Sequence, residues 1–337
     1  MRALAAFMVV MHHVAWKGEQ YSADPLAWFN VGGAGVDLFF VISGYIMCHT
    51  AEASRPNVSS FMWARLRRIY PLYFLLTTLA LLVFIFFPGR VNSSGGTTDI
   101  INSYTLFPSE GKYLINNGWT LSYEFFYYFL FSFCLSFSSN FRYIIPLALI
   151  SMLVFFGFLL DEPNYLIDFI TDPLLLEFGF GISIFMLHEK IRIKPIIGLL
   201  FISLSIVLLL VANNFELNDL RVLSYGGPAF LFFWGMLSFE DSFKKRGSNW
   251  VLATFKALGD SSYSLYLFHP FAIGAVTILL TRMGINGYGY IFVLMLSVVA
   301  LASGHLCYYF VEKPLLSLFR TNKRKQAAQP SRAAATP

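Results

Sequence analysis

Residues 33–50, GAGVDLFFVISGYIMCHT, decide the fold. A helix needs about 20 mostly apolar residues to cross a ~30 Å hydrocarbon core, and this stretch nearly supplies them with one charge, Asp37. Comparable runs lie on both sides of it, at about 2–16, 70–88, 119–138, 142–160, 168–187, 195–213, 219–238, 262–281 and 290–312. The pattern predicts an all-α, polytopic membrane protein with about ten transmembrane helices. Composition agrees: the chain is 57% hydrophobic and only 13% charged, where soluble domains carry about 25% charged residues. Its 37 Phe and 18 Tyr suit faces against acyl chains and anchors at the bilayer interfaces.

Short cytoplasmic loops carry the excess of Lys and Arg, and alternate loops divide on that basis. One set holds Arg55, Arg65, Arg67 and Arg68, then Arg142, Lys190, Arg192 and Lys194, then Lys244, Lys245, Arg246 and Lys256, and finally Lys323, Arg324 and Lys325. The other holds acids: Glu19, Asp24, Asp99, Glu110, Asp161, Glu162, Asp168, Glu216 and Asp219. Both termini are therefore expected in the cytoplasm. Residues 1–318 form the expected membrane domain and 319–337 a disordered basic tail. The Ser/Gly/Thr/Asn-rich segment 89–118 predicts a mobile outer loop. The net charge of +5 sits in short loops rather than on a nucleic-acid-binding face. Cys48, Cys134 and Cys307 are far apart in apolar runs, so neither a metal cluster nor a disulfide framework is implied.

An ionisable side chain inside a membrane is costly unless paired or hydrated, and so marks function by default. Arg2 and His13 are eleven residues apart on one helix, three turns plus ~20°, which puts them on one face ~16 Å apart. A guanidinium at the mouth and an imidazole deep inside suit a ligand with an anionic head and a long thin arm, such as CoA. The plainer reading is a topology signal and a packing histidine. Asp37 either orients a histidine or caps its own helix. Arg65 and Arg68, at i and i+3, share a face, where they grip a nucleotide's phosphates or anchor to anionic lipid headgroups. Glu124 lies ~7.5 Å below Trp119, where it and His13 could meet; a carboxylate beside an imidazole fixes its tautomer. For Glu177, His269, His305 and Glu312, packing or helix–helix bonding is the default.

These segments together resemble the membrane acyltransferase-3 family, the O-acetyltransferases of exopolysaccharide, O-antigen and related glycans. The resemblance rests on RALAAFMVVMHH (2–13), GVDLFFVISGY (35–45), FMWARLRRIYPLY (61–73), WTLSYEFFYY (119–128), LEFGFGISIFM (176–186), SYSLYLFHP (262–270) and VEKPL (311–315), in order along nearly the whole chain. It implies that the family's essential Arg and His fall on Arg2 and His13, not His12. Its paired arginines fall on Arg65 and Arg68, and its acidic position on Glu124, with Thr120 where Ser is usual. It further implies cytoplasmic acetyl-CoA as acyl donor, a glycan or lipid-linked sugar as acceptor, and residence in the bacterial inner membrane among its lipids. Some relatives carry a further hydrolase domain; the short tail here implies a single-domain transferase.

On this reading Arg2, Arg65 and Arg68 hold the phosphates, and His13, oriented by Glu124 or Asp37, is the general base or itself the nucleophile. The rival reading is a secondary transporter or glycan flippase with a charged intramembrane pathway. A third is a structural subunit of a glycan-synthesis complex.

Overall fold

The structure, a computed structural model, describes residues 1–319 apart from 24, 27, 88, 90, 93, 94, 139, 140, 162, 216, 218, 219 and 246–249. The expectations resting on Asp24, Glu162, Glu216, Asp219, Arg246 and the tail beyond 319 lie outside the described residues. The fold is helical throughout, with one isolated bridge, Thr98 to Lys112, and no strand among the described residues. Its helices run α1 Arg2–Gln20, α2 Ala34–Ser54, α3 Val58–Phe86, α4 Ile100–Thr105, α5 Gly118–Cys134, α6 Ile144–Gly157, α7 Tyr165–Thr171 and α8 Leu175–Lys190. There follow α9 Pro195–Asn214, α10 Gly227–Leu237, α11 Glu240–Lys245, α12 Trp250–Asp260, α13 Ser262–Arg282, α14 Gly289–Cys307 and α15 Lys313–Leu318.

Among the described residues, six helical segments are long and apolar enough to cross a membrane: Val31–Ser54, Val58–Phe86, Tyr165–His188, Pro195–Asn214, Ser262–Arg282 and Gly289–Leu318. Helices α1, α5, α6 and the segment Val222–Leu237 match the other expected runs but fall short in length or apolarity. The outward faces are greasy. On α9, Ile196, Leu200 and Val207 are 64%, 63% and 54% exposed, a patch that water would penalise and acyl chains accept.

Helix α1 lies between α2 on one side and the α13–α14 pair on the other. Helix α2 packs closely on α8, and two glycines permit it. A Cβ on Gly44 would stand 2.2 Å from the Phe178 carbonyl oxygen, and one on Gly181 2.2 Å from that of Val41. Small residues at a helix crossing let backbones meet, which is how membrane helices gain contact where hydrophobic burial no longer drives them together.

Three departures from the sequence reading have local causes. The span expected at 168–187 is interrupted between α7 and α8, where Asp172 precedes Pro173, a residue with no N–H for the helix ladder. Two π-helical turns, Val222–Gly226 and Tyr308–Glu312, interrupt the regular winding. Such turns concentrate at functional sites; Arg221 stands just before the first and Glu312 closes the second. Finally, the segment expected as a loose outer loop folds onto the bundle. Asp99 caps α4 by accepting from the Asn102 N–H at 3.0 Å. The Tyr73 hydroxyl donates to the Ser103 carbonyl at 2.6 Å, and Leu106, Tyr113, Leu114 and Ile115 are buried.

Candidate functional site

Helices α1, α2, α3, α5 and α13 enclose a cavity of about 340 Å³. Four residues singled out from the sequence line it: Arg2, Arg65, Arg68 and Glu124. Phe39, Phe40, Ser43 and Ile46 come from α2, Thr120 and Tyr128 from α5, and Ser262, Tyr263 and Tyr266 from α13. The wall is thus aromatic and aliphatic, with cations and one carboxylate set into it.

The three guanidinium groups differ in what already balances them. Arg68 donates to the Glu312 carboxylate and lies over the Tyr263 ring at 5.6 Å. Glu312 is 1% exposed and also accepts from the Ser264 hydroxyl. Neither Arg2 nor Arg65 has a carboxylate partner among the described residues. Arg65 rests over the Phe61 ring at 5.4 Å, and its buried Nε–H has no acceptor there. Two uncompensated guanidinium groups at one cavity make an anion site, and guanidinium geometry matches phosphate oxygens in pairs. Glu124 is fixed through one oxygen: Oε1 accepts from the Ser43 hydroxyl and from the Tyr128 hydroxyl, each at 2.7 Å.

Neither carboxylate expected beside His13 bonds to it. Glu124 is held by Ser43 and Tyr128, and Asp37, fully buried, takes a two-pronged bond from Arg221, Nε at 3.1 Å and an Nη at 3.0 Å. Asp37 lies in the first turn of α2 with Arg221 beside it and the Trp119 ring 6.0 Å from the guanidinium. The fully buried Glu177 completes this cluster; both its oxygens lack hydrogen-bond partners among the described residues, and Gly226 packs against it so closely that a Cβ there would meet Oε1 at 2.9 Å.

His13 instead meets a second histidine. Its Nδ1 lies 2.9 Å from the Val9 carbonyl oxygen and 3.3 Å from Nε2 of His269. The rings stand edge to face, centroids 4.9 Å apart. His269 is fully buried on α13, one residue before Pro270. Because Pro270 has no N–H, the helix cannot use the Tyr266 carbonyl; Asn117, the N-cap of α5, donates to it at 3.0 Å, and the hydroxyls of Thr120 and Tyr266 bond at 2.7 Å. The Tyr266 ring therefore lines the cavity on one side and approaches the His269 ring, at 6.3 Å, on the other.

Arg221 is not among the residues singled out from the sequence, and His269 is singled out there only as a packing or helix–helix bonding residue. Arg221 had a signal: it is an arginine beside the acidic outer segment 216–219, against the charge bias of that loop set. His269 stood in the SYSLYLFHP segment, but nothing in linear spacing ties it to His13, 256 positions away. No group of three or more His, Cys, Asp or Glu able to hold a metal occurs among the described residues, and the three cysteines are buried and free.

The molecule is thus a helical membrane protein that gathers arginines, a carboxylate and a histidine pair within its apolar body. It belongs to the acyltransferase-3 family, whose acyltransferase domain matches residues 1–308, and it is accordingly an acyltransferase. The chain is 31% identical to the exopolysaccharide production protein ExoZ of Rhizobium meliloti (strain 1021), over 88% of this chain and 93% of that protein. It is 23% identical to the O-acetyltransferase OatA of Staphylococcus aureus (strain NCTC 8325 / PS 47), over 94% of this chain and 56% of OatA. No solved structure matches it.

Proposed function

We propose that this protein is a multi-pass O-acetyltransferase of about ten spans in a bacterial inner membrane, moving an acetyl group from cytoplasmic acetyl-CoA to a hydroxyl of an exported or cell-surface glycan. The observation that carries this reading is the cavity in which Arg2 and Arg65, free of carboxylate partners among the described residues, stand with Arg68 and Glu124 inside an acyltransferase-3 chain. The guanidinium groups take the CoA phosphates. The pantetheine arm runs inward past Phe39 and Tyr266 toward His13, and the Glu124 carboxylate accepts from the arm's amide N–H groups. The relative's name, exopolysaccharide production protein, favours a polysaccharide acceptor.

In the transfer step His13 takes the proton of the acceptor hydroxyl as that oxygen bonds to the acyl carbonyl carbon. The carbon–sulfur bond then breaks, and the leaving thiolate receives the proton from the imidazolium. General-base assistance of this kind contributes about 10²- to 10⁴-fold.

Purified protein in nanodiscs, supplied with acetyl-CoA and a panel of lipid-linked glycans, tests the reading through release of free CoA. Wild type is expected to release CoA and His13→Ala to fold normally but fall by that factor. Turnover unchanged in His13→Ala removes the histidine from the mechanism. Absence of turnover in wild type with every acceptor rejects the acetyl-CoA transferase reading.

A further inference from the structure

We infer that His269 is a positioning residue that holds His13 as its Nδ1–H tautomer, so that His13 presents a bare Nε2 to the proton it removes. The inference rests on the reading of His13 as the base and adds which nitrogen acts and what fixes it.

Three contacts fix where the hydrogens lie. A carbonyl oxygen only accepts, so Nδ1 of His269, 2.9 Å from the Leu265 carbonyl, must carry a hydrogen. Nδ1 of His13 faces two atoms, the Val9 carbonyl oxygen at 2.9 Å and Nε2 of His269 at 3.3 Å. Were the hydrogen between the rings on His269, the bare Nδ1 of His13 would confront the Val9 oxygen lone pair to lone pair. One hydrogen on each Nδ1 satisfies all three contacts: His13 donates to Val9 and His269 together, and His269 donates to Leu265. The second nitrogen of a histidine is set by the bond the first one makes. Nε2 of His13 is therefore the unprotonated nitrogen, and among the described residues it has no hydrogen-bond partner.

His269 is built to hold this arrangement. It is fully buried, and its turn of α13 is tied to α5 through the Asn117 and Thr120 bonds to Tyr266. When Nε2 of His13 takes the acceptor's proton, the resulting imidazolium keeps its Nδ1–H on the His269 nitrogen and the Val9 carbonyl. In many hydrolases a carboxylate orients the histidine in this way; here a neutral imidazole occupies that place, while Glu124 and Asp37 are bonded elsewhere.

Nitrogen-15 NMR of histidine-labelled protein in nanodiscs at pH 8 tests the tautomer whatever reaction the protein performs, with the His13 signals assigned by their loss in His13→Ala. The expected spectrum has N–H at Nδ1 and a pyridine-type Nε2. The opposite assignment overturns the inference. His269→Phe, which keeps a buried ring but removes the acceptor, is expected to release the tautomer preference and lower kcat at least about 10-fold, toward the ~10⁴-fold that a wrong tautomer costs a serine hydrolase. The acyl donor's KM is expected to stay within about 2-fold, since no ground-state contact to it is lost. Unchanged kcat in a folded His269→Phe protein, beside a dead His13→Ala, overturns the positioning role. Wild-type protein with the Nδ1–H form but no acyl transfer upholds the pairing and defeats the transferase reading alone.

Discussion

Arg68 and Arg65 are neighbours on α3, yet they carry opposite expectations because only one has a carboxylate partner. Arg68→Ala would strand Glu312, 1% exposed, with the Ser264 hydroxyl as its remaining partner. Removing one member of a fully buried pair costs about 3–5 kcal/mol, and the cost here falls below that because the Arg68 side chain is partly exposed. Glu312→Gln is milder, because the Arg68 side chain is 35% exposed and reaches polar surroundings. Thermal unfolding in detergent should therefore rank Arg68→Ala well below Glu312→Gln. Arg65→Ala strands no carboxylate; it should leave unfolding nearly unchanged and raise the acyl donor's KM about 10- to 150-fold, the worth of a charged hydrogen bond of ~1.5–3 kcal/mol. These arginines and Glu124 were legible because each lies in a compact segment whose helical spacing puts charge on an apolar face. The partners were not legible: Arg68 with Glu312, Asp37 with Arg221 and His13 with His269 are joined across 244, 184 and 256 positions. Which distant helices touch is decided by packing, not spacing.

At the scale of elements, the α2–α8 crossing is the joint on which the site depends, since α2 supplies Phe39, Phe40, Ser43 and Ile46 to the cavity. A Cβ at Gly181 would meet backbone, the Val41 oxygen at 2.2 Å and the Tyr45 nitrogen at 2.6 Å, so the helices must separate. Gly181→Ala should destabilise by at least the ~1–3 kcal/mol of an overpacked core and lower activity with it. Gly274→Ala on α13, where a new Cβ meets nothing within 4 Å, should instead stabilise by roughly 0.5–1 kcal/mol through lost backbone entropy. Differential scanning of the two variants against wild type reads both signs. The cap of α4 adds a pH dependence. The Asn102 backbone N–H, with the Ser109 hydroxyl, holds the Asp99 carboxyl below its ordinary 3.8. That contribution is fully present above pH 3.8 and is lost as pH falls through the lowered value. Hydrogen exchange across 100–115 should stay protected from pH 7 to about 4 and open below it; Asp99→Ala should open it at every pH, at a cost of about 1 kcal/mol. Sequence composition suggested a loose loop here because Ser, Gly and Asn resemble linker; the capping carboxylate and the buried Tyr113 and Leu114 act only once the segment meets α3.

For the whole molecule, the cavity ties topology to chemistry. Arg2 begins α1, and Arg65 and Arg68 lie within the first three turns of α3, so the chain start and the α2–α3 turn share one end of the bundle. The Arg68–Glu312 pair brings residue 312 to that end as well. With the basic residues concentrated in the loops on that side, the positive-inside bias predicts that this end faces the cytoplasm, the side from which the proposed acetyl-CoA donor would enter. Single cysteines in a background lacking Cys48, Cys134 and Cys307 make this measurable. Ser54→Cys and Ser317→Cys, both exposed positions, should react with a membrane-impermeant maleimide only after cells are lysed, and Ile101→Cys, at a site 74% exposed, before lysis. An odd number of spans between residues 54 and 317 would set the first two on opposite sides and break the expected count of ten. The reverse pattern, with Ser54→Cys and Ser317→Cys reactive in intact cells, would keep the helix packing and overturn the chemistry, because a cavity open to the outside cannot draw a CoA thioester from the cytoplasm.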